Sequence, residues 1–259
     1  MNRRQILTGL AAGASAAAFP GLVKAQSPTP QSRVAARNVV LVHGLFADGS
    51  CWSEVIARLQ AAGLNATAVQ NPLDAFEDSV AATRRVLAAQ DGPTVLVGHS
   101  FAGMIITEAG IDPKVSALVY VAARAPDAGE DYAALAKQFP TPPASAGIVW
   151  SGDYGQLSEA AFLRDFAGDL PADKARVLYA VQAPFNRALT TARPSVAAWR
   201  AKPSFYAVST QDRTIDPDLE RFMAKRMGAK TIEVPASHLS LISHPDTIAR
   251  LIVEATQAG

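Results

Sequence analysis

Along this chain, short runs of consecutive apolar residues alternate with stretches in which apolar side chains return every three or four positions. The first kind reads as buried strands over residues 38–42, 65–69, 94–97, 117–122, 203–209 and 230–234. The second kind reads as amphipathic helices: 53–62, with Val55, Ile56 and Leu59 on one face and Gly63 as its stop, then 78–89, 104–109, 219–226 and 247–255. Strands apolar throughout must be covered on both faces. Alternation with helices therefore predicts an α/β fold, a mostly parallel sheet flanked by helices, in which ligands bind beyond the carboxyl ends of the strands.

The rhythm breaks at about residues 125–202. Pro126, Pro140, Pro142 and Pro143 punctuate this stretch, and helical patterns at 158–166 and 172–182 follow each other with no strand between them. The segment reads as an inserted helical cap, with Phe162, Leu163, Phe166, Leu170, Val177, Leu178 and Val181 available to pack or to line a pocket.

The amino terminus has a different character. Arg3 and Arg4 precede a short apolar run from Ile6 to Phe19, and Val23-Lys24-Ala25 offers small residues for cleavage. Residues 1–25 read as a bacterial export signal of the twin-arginine kind, which implies an encounter with the export machinery and a periplasmic or secreted product. The run is too short and too rich in Ala and Gly to leave a stable membrane anchor. Residues 26–36, with Pro28 and Pro30, read as a disordered leader, and 37–259 as one domain that includes the cap.

Charge removes some classes of function. The whole chain carries a formal +1, with 24 Lys and Arg against 23 Asp and Glu. Cleavage after residue 25 would remove Arg3, Arg4 and Lys24 and no acid, leaving 21 against 23, or about −2. No basic patch interleaved with aromatics is present, so nucleic acid is not an expected partner. Cys51 is the one cysteine; it permits no internal disulfide and no multi-cysteine metal site, and reads as a small buried apolar residue. No histidine has metal-ligand spacing, and no cofactor or metal is expected.

The chemistry gathers at Gly98-His99-Ser100-Phe101-Ala102-Gly103, between a strand and a helix. Small residues around Ser100 let the backbone turn sharply, presenting its hydroxyl above the sheet and over the unpaired N–H groups of the new helix. A hydroxyl becomes a useful nucleophile when a base takes its proton and an anion orients that base. Asp212 and His238 follow in the order Ser-Asp-His, each just past the carboxyl end of an expected strand, so the three can converge on one rim. Asp127, Asp216 and Asp218 are rival acids, the last two placed to cap the helix that follows. His43 suits shaping of the loop after the first strand, His99 packing behind the serine, and His244 a helix start.

These motifs carry a resemblance. Over residues 38–256 the chain resembles the α/β-hydrolase superfamily. Val42-His43-Gly44 with Asp48-Gly49-Ser50-Cys51-Trp52, Gly98-His99-Ser100, Ala198-Trp199-Arg200, Gln211-Asp212-Arg213-Thr214-Ile215, Arg221-Phe222-Met223-Ala224 and Ser237-His238 are similar to a bacterial esterase group related to plant methylesterases and hydroxynitrile lyases. The resemblance implies a carboxylic-ester hydrolase of small alkyl or aryl esters, with Ser100 as nucleophile, His238 as base, Asp212 as acid, and an oxyanion hole from the backbone N–H groups of Leu45 and Phe101. The alternatives are a hydroxynitrile-lyase-like, lactone- or amide-cleaving enzyme, or a non-catalytic ligand-binding protein on the same fold. The lyases carry Thr in place of Gly44 and Lys in place of Leu239, which favours hydrolysis here; Ala102 stands where the superfamily commonly has Gly.

Overall fold

The computed structural model describes residues 35–258; the expected export signal, and the expected leader up to residue 34, lie outside the described residues. The main sheet contains six strands: β1 (Asn38–Val42), β2 (Asn65–Val69), β3 (Thr94–His99), β4 (Val115–Val121), β8 (Ser204–Ser209) and β9 (Lys230–Val234). Their order is β2-β1-β3-β4-β8-β9, and every pairing is parallel. The central strands β1, β3 and β8 are buried at every position, which is why the sequence shows them as unbroken apolar runs. The edge strands β2 and β9 are exposed or half-buried except at their last residues, Val69 and Val234.

Parallel strands need crossovers, and the helices supply them. The crossovers in the sheet's first half are α1 (Ser53–Ala61), α2 (Phe76–Ala88) and α3 (Ala102–Ala109); α7 (Pro217–Arg226) joins β8 to β9, and the short α8 (Ser240–Ser243) and α9 (Pro245–Ala255) follow β9. Helix α1 packs on α9, and α2 on α3, so the sheet is covered by two helix pairs. The chain leaves β1 outward to β2 and then crosses to β3 on the other side. The loops after β1 and β3 thus diverge at a switch in strand order, where an open α/β sheet leaves a crevice.

Between β4 and β8 the structure differs from an all-helical expectation. Short helices are present, α4 (Tyr132–Ala136), α5 (Glu159–Ala161) and α6 (Ala172–Ala180), but so is an antiparallel sheet of β5 (Ile148–Ser151), β6 (Tyr154–Leu157) and β7 (Phe185–Asn186). These strands are two to four residues long and partly exposed, too short to show a period-two pattern. The expected helix at 158–166 is one turn of α5 running into a π-helical turn, Phe162–Phe166. Among the described residues no helix is long and apolar enough to cross a membrane.

Candidate active site

Ser100 sits at the first residue past β3 with φ of +57°, the left-handed region that an L-residue seldom occupies. Such a backbone costs of order 1–3 kcal/mol and persists only where its surroundings hold it. Here the Ser100 N–H donates to the Val121 carbonyl at 3.2 Å, while its own carbonyl accepts from Gly103 at 3.0 Å and Arg124 at 2.9 Å. Two glycines leave the room. A Cβ on Gly98 would lie 2.8 Å from the Ala102 carbonyl oxygen, and one on Gly103 would lie 2.0 Å from that of Arg124. Ala102, by contrast, fits its methyl into the core as the first residue of α3.

The loop after β1 approaches from the other side of the switch. A Cβ on Gly44 would lie 2.6 Å from Ser100 Cβ and 3.2 Å from its Oγ, so glycine there permits backbone to touch the serine. Neither the Leu45 N–H nor the Phe101 N–H donates to an acceptor among the described residues, as a pair aimed at a developing oxyanion requires. His43 braces the loop: its Nε2 accepts from the Asn71 N–H at 2.9 Å, which leaves Nδ1 to donate to the Gly44 carbonyl at 2.9 Å. The Asn71 amide also donates to the His43 carbonyl at 2.6 Å. Burial holds the His43 ring below the ordinary imidazole value, consistent with this neutral form.

Asp212 and His238 follow the ends of β8 and β9. His238 Nδ1 lies 2.5 Å from Asp212 Oδ2, with both side chains fully buried. Asp212 Oδ1 accepts from the N–H groups of Thr214 at 2.6 Å and Ile215 at 3.0 Å, so the carboxylate is held by its own loop as well as by the ring. The link to the serine is open: His238 Nε2 is buried without a hydrogen-bond partner. Bonds of this kind commonly tighten only when the site is loaded. The rival acids are occupied elsewhere. Asp127 pairs with Arg200, Asp216 caps α7, and Asp218 pairs with Arg221.

Further residues brace this arrangement. The His99 ring lies tilted at 51° against that of His238, 4.7 Å between centroids, and its Nε2 donates to the His238 carbonyl at 3.0 Å. Burial keeps His99 well below its ordinary value, so it is a neutral brace rather than a second base. The insertion between β4 and β8 also reaches the site. Phe166 lies 5.1 Å from the His238 ring and 5.7 Å from Phe46, and Phe46, Phe162, Phe166, Leu239 and Cys51 wall a narrow apolar crevice beside it. The Asp165 carboxylate binds Arg164 and, at 2.8 Å, Arg213 Nε; Ser237 donates to the Phe166 carbonyl and pairs with Asp169. One π-helical turn is thereby strapped to both the acid loop and the histidine loop. Cys51 is buried, and burial pushes its thiol up, out of the range of a reactive thiolate.

The comparisons with known proteins show the family and the fold. The family model described as the alpha/beta hydrolase family matches residues 39–251. The chain belongs to the alpha/beta hydrolase family. Among curated proteins, this family member is 32% identical over 129 residues to esterase PIR7B of Oryza sativa subsp. japonica, a match covering 44% of the chain and 48% of the relative. It is 33% identical over 126 residues to a carbendazim hydrolyzing esterase of a Nocardioides species, covering 43% of the chain and 52% of the relative. These matches span about half the length of each relative. A pyrethroid hydrolase of Sphingobium wenxiniae is 26% identical over 250 residues, covering 85% of the chain and 88% of the relative. Solved structures share the fold. A pyrethroid hydrolase superposes with TM-score 0.74 at 21% identity over 86% of this hydrolase-family chain and 98% of that one, and polyneuridine aldehyde esterase with 0.72 at 18% over 85% and 98%.

Proposed function

We propose that this protein is a carboxylic-ester hydrolase working through an acyl-enzyme on Ser100. The observation that carries the reading is the buried 2.5 Å contact of His238 Nδ1 with Asp212 Oδ2, at the same sheet rim as a serine held at φ +57°. In the first half-reaction Ser100 Oγ attacks the ester carbonyl as His238 Nε2 takes its proton. That proton then passes to the departing alkoxide. A water, deprotonated by the same nitrogen, attacks the acyl carbon, releases the acid and returns the hydrogen to Ser100. The N–H groups of Leu45 and Phe101 would face the oxyanion in both steps, each typically worth about 3 kcal/mol in the transition state.

The substrate class, small alkyl or aryl esters, rests on the resemblance of the motifs, and the mainly apolar walls of the narrow crevice beside His238 agree with it. Leu239 walls that crevice, and an apolar side chain there offers nothing to hold a cyanide leaving group, which favours hydrolysis over lyase chemistry. The names of the matched esterases and of the pyrethroid hydrolase point the same way. The substrate partner is thus a small-molecule ester, and the twin-arginine pattern of residues 1–25 supports a periplasmic or secreted enzyme. Ser100→Ala tests the reading. It should abolish hydrolysis of p-nitrophenyl acetate while circular dichroism and Tm stay at wild-type values; retained hydrolysis would remove Ser100 from the role.

A further inference from the structure

Glu220 is a fully buried carboxyl group that the mechanism above leaves unused. It projects from α7, the helix whose start Asp216 caps, and its Oε2 accepts from the N–H of Ser209, whose own carbonyl accepts from the Asp212 N–H at 3.1 Å, so the carboxyl group lies against the acid loop. Two carboxyl groups buried around one loop resist ionising together, so a single proton between them is the favourable state.

The donors decide who carries it. Asp212 receives N–H groups from Thr214 and Ile215 on Oδ1 and faces His238 on Oδ2. Glu220 receives a single N–H, from Ser209 to Oε2 at 3.2 Å, and no donor reaches Oε1. The richer set of donors favours the charge on Asp212, and the bare Oε1 is the oxygen free to hold a hydrogen. The remaining neighbours agree. The phenols of Tyr132 and Tyr206 lie close enough to interact, and the nearest cation on the same helix, Arg221, points to the surface, where it is paired with Glu233 and Asp218. Burial and the Asp212 charge both hold Glu220 well above the usual carboxylate range.

We infer that Glu220 is a positioning residue of the active site: as a neutral acid it donates an O–H hydrogen bond to the Asp212 carboxylate, fixing the face that Asp212 turns to His238. The inference rests on the esterase reading, since it assigns Asp212 the orienting role. Without that donor, Asp212 would rotate more freely and would concentrate its charge on the imidazole side, so that His238 would hold its proton to higher pH. The donor is what matters, and an amide can replace it.

The experiment is a pair of variants followed by the pH profile of kcat/KM on p-nitrophenyl acetate, with folding checked by circular dichroism. Glu220→Leu should lower kcat at least tenfold and move the acidic limb to higher pH. Glu220→Gln, which keeps an N–H donor of the same reach, should recover at least a third of the wild-type kcat and restore the limb. An amide variant as slow as the leucine variant, or a slow leucine variant with an unmoved profile, would overturn the inference. An arm independent of turnover uses infrared difference spectra at neutral pH. Wild-type protein should show the C=O stretch of a protonated carboxylic acid that Glu220→Gln lacks, and absence of that band from the wild type would also overturn it. If no ester is hydrolysed by the wild type, the esterase reading fails while the infrared arm still reports on the proton.

Discussion

Ser100 could be read in the sequence because small residues on either side of a lone serine, between an apolar strand and a helix, leave few other conformations. Which of them matter is settled by contact. Gly98 and Gly103 have carbonyl oxygens within 2.8 and 2.0 Å of any added Cβ, whereas Ala102 sits comfortably in the core. Gly103→Ala should therefore cost several kcal/mol or prevent folding, far above the roughly 1 kcal/mol change ordinarily expected of a point substitution, as denaturant titration would show. Asp212 is distinguished from Asp127 and Asp216 by where each carboxylate is spent. Asp212→Asn should lower kcat by about 10⁴ if it orients His238, by the precedent of the serine-protease acid. Asp127→Asn, which only loosens a surface pair with Arg200, should stay within about twofold; rates measured at one ester concentration above KM would separate them. His99 is expected behind the serine and lies there, but Glu220 is not legible as part of the site. A glutamate inside an amphipathic helix looks like a surface residue, and only the placement of α7 against the acid loop reveals otherwise.

At the scale of elements, the main sheet follows closely from its apolar runs: the expected spans at 38–42, 65–69 and 230–234 coincide with β1, β2 and β9. Helix starts differ by about two residues because capping and Pro at the first turn begin α7 and α9 before their apolar faces do. The small antiparallel sheet was not foreseen, since strands this short carry no period. The π-helical turn at Phe162–Phe166 was equally invisible, and it bears on the site directly. Asp165 is a buried carboxylate between two guanidinium groups, one of them next in sequence to Asp212. Asp165→Ala leaves Arg164 and Arg213 unpaired and frees the turn from the acid loop. It should cost about 2 kcal/mol and lower Tm by roughly 4–8 °C in scanning calorimetry. An unchanged Tm would mean that the strap contributes nothing to holding the insertion down.

For the whole molecule, pH reports on the buried groups. His43 and His99 are neutral in the folded state with lowered values, so the unfolded chain binds more protons once pH falls below the ordinary imidazole value of about 6.5. Their contribution to stability is full above that pH and is lost as pH falls. Glu220, raised in the folded state, acts in the opposite sense, its contribution falling as pH rises above about 4.5. Between pH 5 and 6.5 two histidines oppose one glutamate, so net stability should rise with pH by up to about 1.4 kcal/mol per unit, measurable from urea midpoints. Glu220→Gln removes the opposing group and should steepen that rise. Export is a separate question at this scale, and mass spectrometry of the protein from the periplasm should find Gln26 at the amino terminus if residues 1–25 are its signal.

The central claim is that Ser100 is the nucleophile of an acyl-transfer site, and covalent labelling addresses it most directly. Incubation with a fluorophosphonate should add one phosphonyl group, mapped by peptide mass spectrometry to the peptide containing Gly98-His99-Ser100, with no label on Ser100→Ala and slow labelling of a His238→Ala variant. Label on a different serine, or none on folded wild-type protein, would contradict the account.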